Sequence, residues 1–263
     1  MDNGNGSSSE QFSALAPHYD ELMDVVAYDA WADYVFLLFQ IVQHDAHKCL
    51  DCACGTGNLS FELAKSNIEV VGVDIAPKMI EVARHKVESS PIAPKVRFYE
   101  ADLTSFDLGE TFDCATCLYD SLNYILEPEK LKAAFFHIAR HVEVGGVFVF
   151  DLNTPFALTQ GLFTQSNYDP RKRLHYNWQA KYDPKTRVTS VEMEFSRQVG
   201  VGQVEQFHEV HRERAYGANE VRALLESTGW EVERLYDAYT INPPHAQSER
   251  WFWVVRRVAD SDN

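Results

Sequence analysis

Apolar positions along the chain change period several times, and each change marks an element. From residue 12 to 43 they recur at helical spacing, with Leu15, Tyr19, Leu22 and Met23, then Trp31, Val35, Leu38 and Val42. Short continuous apolar runs then alternate with helical patterns. "KCLDCA", "EVVGVD", "KVRFYEAD", "FDCATCLYD" and "GVFVFDLN" predict strands; "NLSFELAKS", "PKMIEVARHKVESS" and "PEKLKAAFFHIARHV" predict helices. Pro77 suits the first turn of its helix, and Gly145 with Gly146 is expected to stop the third. Such alternation builds right-handed βαβ units and a parallel sheet covered on both faces. Runs such as "VVGV" and "VFVF" suit that double burial.

The alternation ends after Asp151. Between Arg173 and Tyr216, Leu174, Tyr176, Trp178, Ala180 and Tyr182 form one period-two stripe, and Val191, Met193 and Phe195 another. With "PKT" and "GVG" as turns, this predicts an antiparallel meander. "GANEVRALLESTGW" returns to helix, and "EVERLYDAYTI" and "RWFWVVRRV" predict two final strands. No internal repeat is found.

Composition narrows the class. The chain has 263 residues, 45% of them hydrophobic, enough for one large α/β domain with an insertion. No apolar run approaches the length of a membrane-spanning helix. The opening "MDNGNGSSSE" lacks the basic and apolar regions of a signal peptide, so cytoplasm is the expected compartment. Lys and Arg number 24 against 39 Asp and Glu, a net charge of -15 that disfavours a large nucleic-acid footprint. "RHKVESS" or "PRKR" could contribute to a local basic patch. The five cysteines fall in C-x-x-C-x-C (Cys49, Cys52, Cys54) and C-x-x-C (Cys114, Cys117) spacing, which by itself hints at a metal. They lie in or beside apolar runs, where a free cysteine acts as a small buried hydrophobe, and no metal is expected.

Chemistry concentrates at "LDCACGTGNLSFELA", where the first strand breaks into the first helix of the alternating region. A P-loop needs Gly-Lys-Ser/Thr there, and Asn58-Leu59 follows instead. A dinucleotide fingerprint on Gly55 and Gly57 wants a third glycine where Ser60 stands. The remaining reading places Ala53, Gly55 and Gly57 after Asp51 under a ligand without pyrophosphate, with an amino acid moiety over the turn. Asp74 ends the second strand, where a carboxylate can accept two ribose hydroxyls. Asp102 ends the third, within reach of an adenine amino group. All three acids sit at strand C-termini, where open parallel sheets bind ligands.

These stretches, with "VVGVDIAPKMIEVAR", "VRFYEADL", "FDCATCLYDSLNYI" and "GGVFVFDLN", resemble the successive motifs of class I S-adenosylmethionine-dependent methyltransferases over about residues 45 to 153. Ala53, at a position usually held by glycine, is similar to the glycine N-methyltransferase branch. "APHYDELMD" and the segment ending "FHEVHRERAY" resemble bacterial small-molecule methyltransferases, including sugar-amine dimethylating ones. The resemblance implies a Rossmann-like seven-stranded α/β sheet of order 3-2-1-4-5-7-6 with strand 7 antiparallel. The polar opening is expected to be a disordered tail (1–10), followed by a helical lid (11–44), a cofactor-binding core (45–155), an inserted antiparallel β substrate cover (156–216) and a completion of the core (217–258). The resemblance further implies S-adenosylmethionine as cofactor, S-adenosylhomocysteine as product, and a small-molecule acceptor. Ala53 and Gly55 then line the methionine part beside Asp51 and Gly57, Asp74 holds ribose, and Asp102 with Leu103 frames adenine. Leu118 approaches the amino acid portion, and Tyr19, Trp31 and Met79 complete the cofactor site.

The sulfonium already carries an activated methyl, so alignment and water exclusion supply most of the catalysis, with general-base help modest or absent. Tyr119, Asp120 and Asn123 in "LYDSLNYI" should border the methyl. No N/D-P-P-Y/F motif follows strand four, and "INPPH" lies after the sixth strand, so nucleic-acid base methylation is disfavoured. His208 and His211, three apart on a strand, face opposite ways, and at most one enters the cleft. His211 is chosen as the catalytic candidate. A histidine there can take a proton from an ammonium or hydroxyl. Arg212 and Arg214 fit a substrate carboxylate or solvated ion pairs equally well. The expected function is methylation of a small metabolite, nitrogen ahead of oxygen. An RNA or protein methyltransferase and a non-catalytic cofactor-binding protein stay as alternatives, and a homodimer is left open.

Overall fold

Each apolar strand run splits by parity onto the two faces of one sheet. Leu50, Val71, Ala115, Phe148 and Trp253 face one core, while Cys49, Val70, Cys114, Val147 and Phe252 face the other. The coordinates are a computed structural model that describes residues 11–88 and 90–258, so the tail expected over residues 1–10 lies outside the described residues. Along the chain run α1 (Tyr19–Leu22), α2 (Tyr28–Ile41), β1 (Lys48–Cys52), α3 (Asn58–Lys65), β2 (Glu69–Asp74), α4 (Pro77–Glu88), β3 (Val96–Glu100), β4 (Phe112–Cys117), α5 (Pro128–His141) and β5 (Val142–Asn153). There follow α6 (Pro155–Thr159), β6 (Gln165–Asn167), β7 (Leu174–Asp183), β8 (Val188–Gly200), β9 (Gln203–Arg214), α7 (Ala218–Glu226), β10 (Trp230–Asp237) and β11 (Arg250–Arg257).

Seven strands form the main sheet in the order β10-β11-β5-β4-β1-β2-β3. β11 runs antiparallel to both its neighbours, and the other pairings are parallel. This is the expected order 3-2-1-4-5-7-6, with β10 and β11 as sixth and seventh strands. Helices α5 and α7 pack on one face, α2, α3 and α4 on the other. None of the described helices is long and apolar enough to cross a membrane.

Strand parity also explains the cysteines. Cys49 and Cys52 are three apart on β1, as are Cys114 and Cys117 on β4, so each pair is divided between the two faces. Cys49 and Cys114 are register partners on adjacent strands, and all four are buried. Burial pushes the thiols of Cys52 and Cys117 up, as expected of apolar packing residues.

Two local expectations change. The glycine pair does not stop α5, which ends at His141 and passes directly into β5. Gly145 and Gly146 instead sit in an irregularity of the β4–β5 ladder, where pairing jumps from Phe112–Val142 to Cys114–Val147. A Cβ on Gly146 would lie 2.5 Å from the Asp113 carbonyl oxygen, so the close approach of strands requires glycine. The helical stretch from 12 to 43 is also broken. A 3-10 turn at Ala16–His18 leads into α1, and residues 23–27 separate α1 from α2. The β-branched pair Val25 and Val26 occupies the break, which fits their lower helix propensity.

β6 to β9 form a second, antiparallel sheet in chain order. Its inner face carries Leu174, Val191, Met193 and Phe195 and packs against Leu15, with Phe12 and Tyr19 alongside. The meander is therefore present with one extra short strand, β6, preceded by α6. At three and five residues these elements are too short for periodicity to reveal.

Candidate active site

The turn after β1 opens the site at the C-terminal edge of the parallel strands. Gly57 is left-handed at φ +81, and a Cβ there would stand 2.5 Å from the Phe98 ring, so it serves close packing of α3. Gly55 has open space where a Cβ would stand. Ala53 adopts φ +52, a left-handed conformation unusual for a residue with a Cβ.

Ser60, standing where a dinucleotide fingerprint has its third glycine, is fully buried and donates to the Asp51 carboxylate at 2.5 Å. Thr116 donates to the other oxygen at 2.9 Å. Burial pushes the Asp51 carboxyl up to about 6, against the two hydroxyl donors and aided by the nearby charge of Asp74. The folded protein therefore holds this proton more tightly than the unfolded chain. The site's contribution to stability falls as pH rises between the ordinary 3.8 and about 6, and stays low above. A shift of that size corresponds to about 3 kcal/mol. Asp51→Asn removes the charge, so its unfolding free energy relative to wild type should rise from pH 4 to pH 7. Denaturant unfolding without ligands measures this, and a difference constant with pH would refute it.

Asp74 accepts from the amides of Gly55 and Ala76, each at 2.8 Å. It is half-buried, and burial raises its carboxyl against these donors. From this wall a cavity of about 450 Å³ runs under the N-terminal segment to the second sheet. That lies in the roughly 300–1,000 Å³ range of small-molecule pockets. Asp51, Ala53, Gly55, Asp74 and Met79 line one end of it. Tyr19, Trp31, Leu118, Tyr119 and His211 also line it, with Trp31 stacked on Tyr119 at 5.3 Å between ring centres.

The loop after β4 bends sharply at this wall, with Tyr119 at φ +66 and Asp120 at φ +53. Two successive left-handed residues with side chains are held only where surrounding contacts enforce them. Here the Asp120 amide donates to Asp151 at 3.0 Å. Arg250, the first residue of β11, pairs with the Asp120 carboxylate at 2.7 Å and with Asp151, and lies over the Trp31 and Tyr119 rings. Burial pushes the Asp120 carboxyl up to about 6; Arg250 opposes the shift and Asp151 adds to it. Glu213, also buried on the cavity wall, accepts from the Asn153 side chain at 2.7 Å.

β9 supplies the opposite wall. Its pairing with β8 is regular from Val204 to Arg214, so parity is unbroken between the two histidines. Glu209, His211 and Glu213 face inward and are buried, while His208 is exposed. His211 Nε2 lies 2.6 Å from Glu209, and Nδ1 lies 3.0 Å from the Tyr124 hydroxyl. An ionised carboxylate only accepts, so Nε2 carries the hydrogen and Nδ1 can accept from Tyr124. Glu209 also accepts from the amides of Phe12, Ala14 and Leu15, each at 2.9 Å, which ties the N-terminal segment to β9. Burial works against this carboxylate's charge, yet His211 and those amides hold its pKa below the usual range. Arg214 pairs with Glu220, donates to the Thr186 carbonyl and is not among the residues lining the cavity.

Four anticipated residues are not brought into the cavity. Asn123 is a correction: it is fully buried, and its amide accepts from Asn153 N and donates to the carbonyls of Asn153 and Arg214. With those bonds made it braces β5 against β9 rather than meeting a methyl acceptor. Asp102 is exposed and accepts from the Thr104 amide and hydroxyl, Leu103 packs into the core, and Gly57 packs on Phe98. Conversely Tyr124, Glu209, Glu213 and Arg250 were missed. For the two glutamates a signal existed, since they share the parity of His211 two residues away on either side.

A family profile described as a methyltransferase domain matches residues 49–146. A putative methyltransferase of Geobacillus sp. (strain WCH70) is 30% identical over 253 residues, covering 94% of this chain and 99% of that protein. The chain belongs to the class I S-adenosylmethionine-dependent methyltransferases. Among solved structures, an S-adenosylmethionine-dependent methyltransferase from Clostridium acetobutylicum ATCC 824 superposes with a TM-score of 0.83 at 28% identity, covering 94% of this chain and 99% of that one. A dTDP-4-amino-2,3,4,6-tetradeoxy-D-glucose N,N-dimethyltransferase of Saccharopolyspora spinosa is 29% identical over 149 residues, 54% of this chain and 57% of that protein.

Proposed function

We propose that this methyltransferase acts on a nitrogen of a small-molecule acceptor. The observation that carries the reading is the single cavity joining the Asp74 wall and the glycine turn to the inward face of β9. The dimethyltransferase of Saccharopolyspora spinosa, named for an amino sugar, supports nitrogen as the target.

The residues present fit S-adenosylmethionine. Asp74 keeps lone pairs for ribose hydroxyls beyond those used by Gly55 and Ala76, and Gly55 leaves its backbone open to the methionine part. Ala53 and Leu118 would flank that part, with Asp51 beneath it, and Tyr19, Trp31 and Met79 would cover the cofactor. When bound, the cofactor supplies a methyl on a positively charged sulfur, with no electrophile for the protein to generate. The chain's own residues orient the acceptor and exclude water, worth roughly 7–11 kcal/mol in favourable cases. Phe12, Leu15 and Tyr19 cap the cavity, and Glu209 holds the first two by their amides. An ammonium must lose its proton before it can attack. Tyr124 faces the cavity with its hydroxyl on His211, so the proton passes to the Tyr124–His211 pair while Glu209 steadies the charged imidazole.

The test is a methyl-transfer screen over amines, amino acids and phenols that follows S-adenosylhomocysteine release and locates the new methyl. N-methylated small molecules are the expected product. Label found only on RNA or protein, or cofactor binding without turnover on any acceptor, would reject the reading.

A further inference from the structure

Charge in the cavity is unbalanced at the acceptor end. Asp120 and Glu213 line it and Asp151 lies directly behind, all at most 7% exposed. Arg250 is the one Lys or Arg among the described residues lining the cavity, and both Asp120 and Asp151 hold it. If all three carboxyls ionise, two negative charges remain uncompensated in a buried setting, a costly arrangement without a further cation. Burial accordingly raises all three carboxyls. Asp51 and Asp74 stand at the other end, on the glycine turn, and do not share this role.

A further observation points to a ligand here. On the wall from β7, the indole N–H of Trp178 lines the cavity, shielded from solvent and unpartnered. Around Trp178 the surface is apolar and aromatic, made by Phe163, Tyr176, Met193 and Leu15, with Tyr176 and Trp178 ring centres 4.7 Å apart. The cations near the N-terminal segment are already matched: Lys86 by Asp20, Arg197 by Glu21 and Lys172 by Asp24. Nothing among the described lining residues suits a diphosphate, which calls for unpaired Lys or Arg. The chain departs here from what the name of its dTDP-amino-sugar relative implies for that protein.

Resting on the small-molecule reading above, we propose that the acceptor is a cationic amine with an aromatic or aliphatic body and no phosphate or carboxylate. Its ammonium sits against Glu213 and Asp120, its body against Tyr176, Trp178 and Met193, and a neutral oxygen or nitrogen on that body meets the Trp178 indole N–H.

The experiment uses the full chain saturated with S-adenosylhomocysteine and three probes in calorimetry: 2-phenylethylamine, 2-phenylethanol and thymidine diphosphate. The amine should bind at least tenfold tighter than its uncharged isostere, and thymidine diphosphate should not compete with it. Glu213→Gln should erase most of that preference while S-adenosylhomocysteine affinity holds. The wild-type comparison stands without the variant, should the variant fail to fold. Equal affinity for amine and alcohol, tighter binding of thymidine diphosphate, or no amine binding at low millimolar concentration would overturn the proposal. Turnover of a phosphorylated or neutral small molecule would overturn it while leaving the small-molecule reading intact; failure to bind S-adenosylhomocysteine would strike that reading instead.

Discussion

Asp74→Ala should weaken binding of both S-adenosylmethionine and S-adenosylhomocysteine about ten- to a hundredfold. The Asp74 carboxylate is aimed by two backbone amides, Gly55 on the turn and Ala76 at the entrance to α4, so its free lone pairs point into the cavity without further ordering. A hydrogen bond to a charged group is worth about 1.5–3 kcal/mol, which converts to that range of affinity. The loss should be equal for the two ligands, because ribose is common to both and the sulfur charge is not involved. Asp74→Asn keeps an acceptor and should fall between. Calorimetry decides it: wild-type affinity in the alanine variant would remove Asp74 from the ribose site. A melting curve on each variant separates this from collapse of the Gly55 turn.

Replacing His211 with Ala should cut methyl transfer about a hundredfold or more, the lower end for a positioned acid–base group, with cofactor affinity nearly unchanged. Tyr124→Phe should do much the same, since the hydroxyl and the imidazole form one path. His208→Ala should stay within about twofold of wild type, because β9 turns that side chain out to solvent. Phe12 packs edge-on against the imidazole, so a melting curve on His211→Ala separates loss of packing from loss of proton transfer. Wild-type turnover by His211→Ala on an identified amine would exclude it from the reaction.

What could be read directly from the chain were the features that depend on near neighbours. β2 spans the residues of its apolar run, and α3, α4 and α5 start where their patterns start. The Gly55–Gly57 turn and Asp74 were legible because a strand end, a turn and a helix start are contiguous, and the βαβ rule carries them to one edge. The opposed facing of His208 and His211 was equally legible, as strand parity needs no partner.

Contacts across long sequence separations were not legible. Asn123 looked like a cleft residue until β5 and β9 closed on its amide, and only their positions show that its hydrogen bonds are spent. Gly145 and Gly146 carry the composition of a helix stop, but the need for glycine comes from the Asp113 carbonyl on the neighbouring strand. Arg250 and Asp120 are 130 residues apart, and Glu209 meets amides nearly 200 residues away. Local pattern records which way a side chain faces. What it faces depends on which strands become neighbours, and burial then makes each pairing there strong enough to set the chemistry of the cavity.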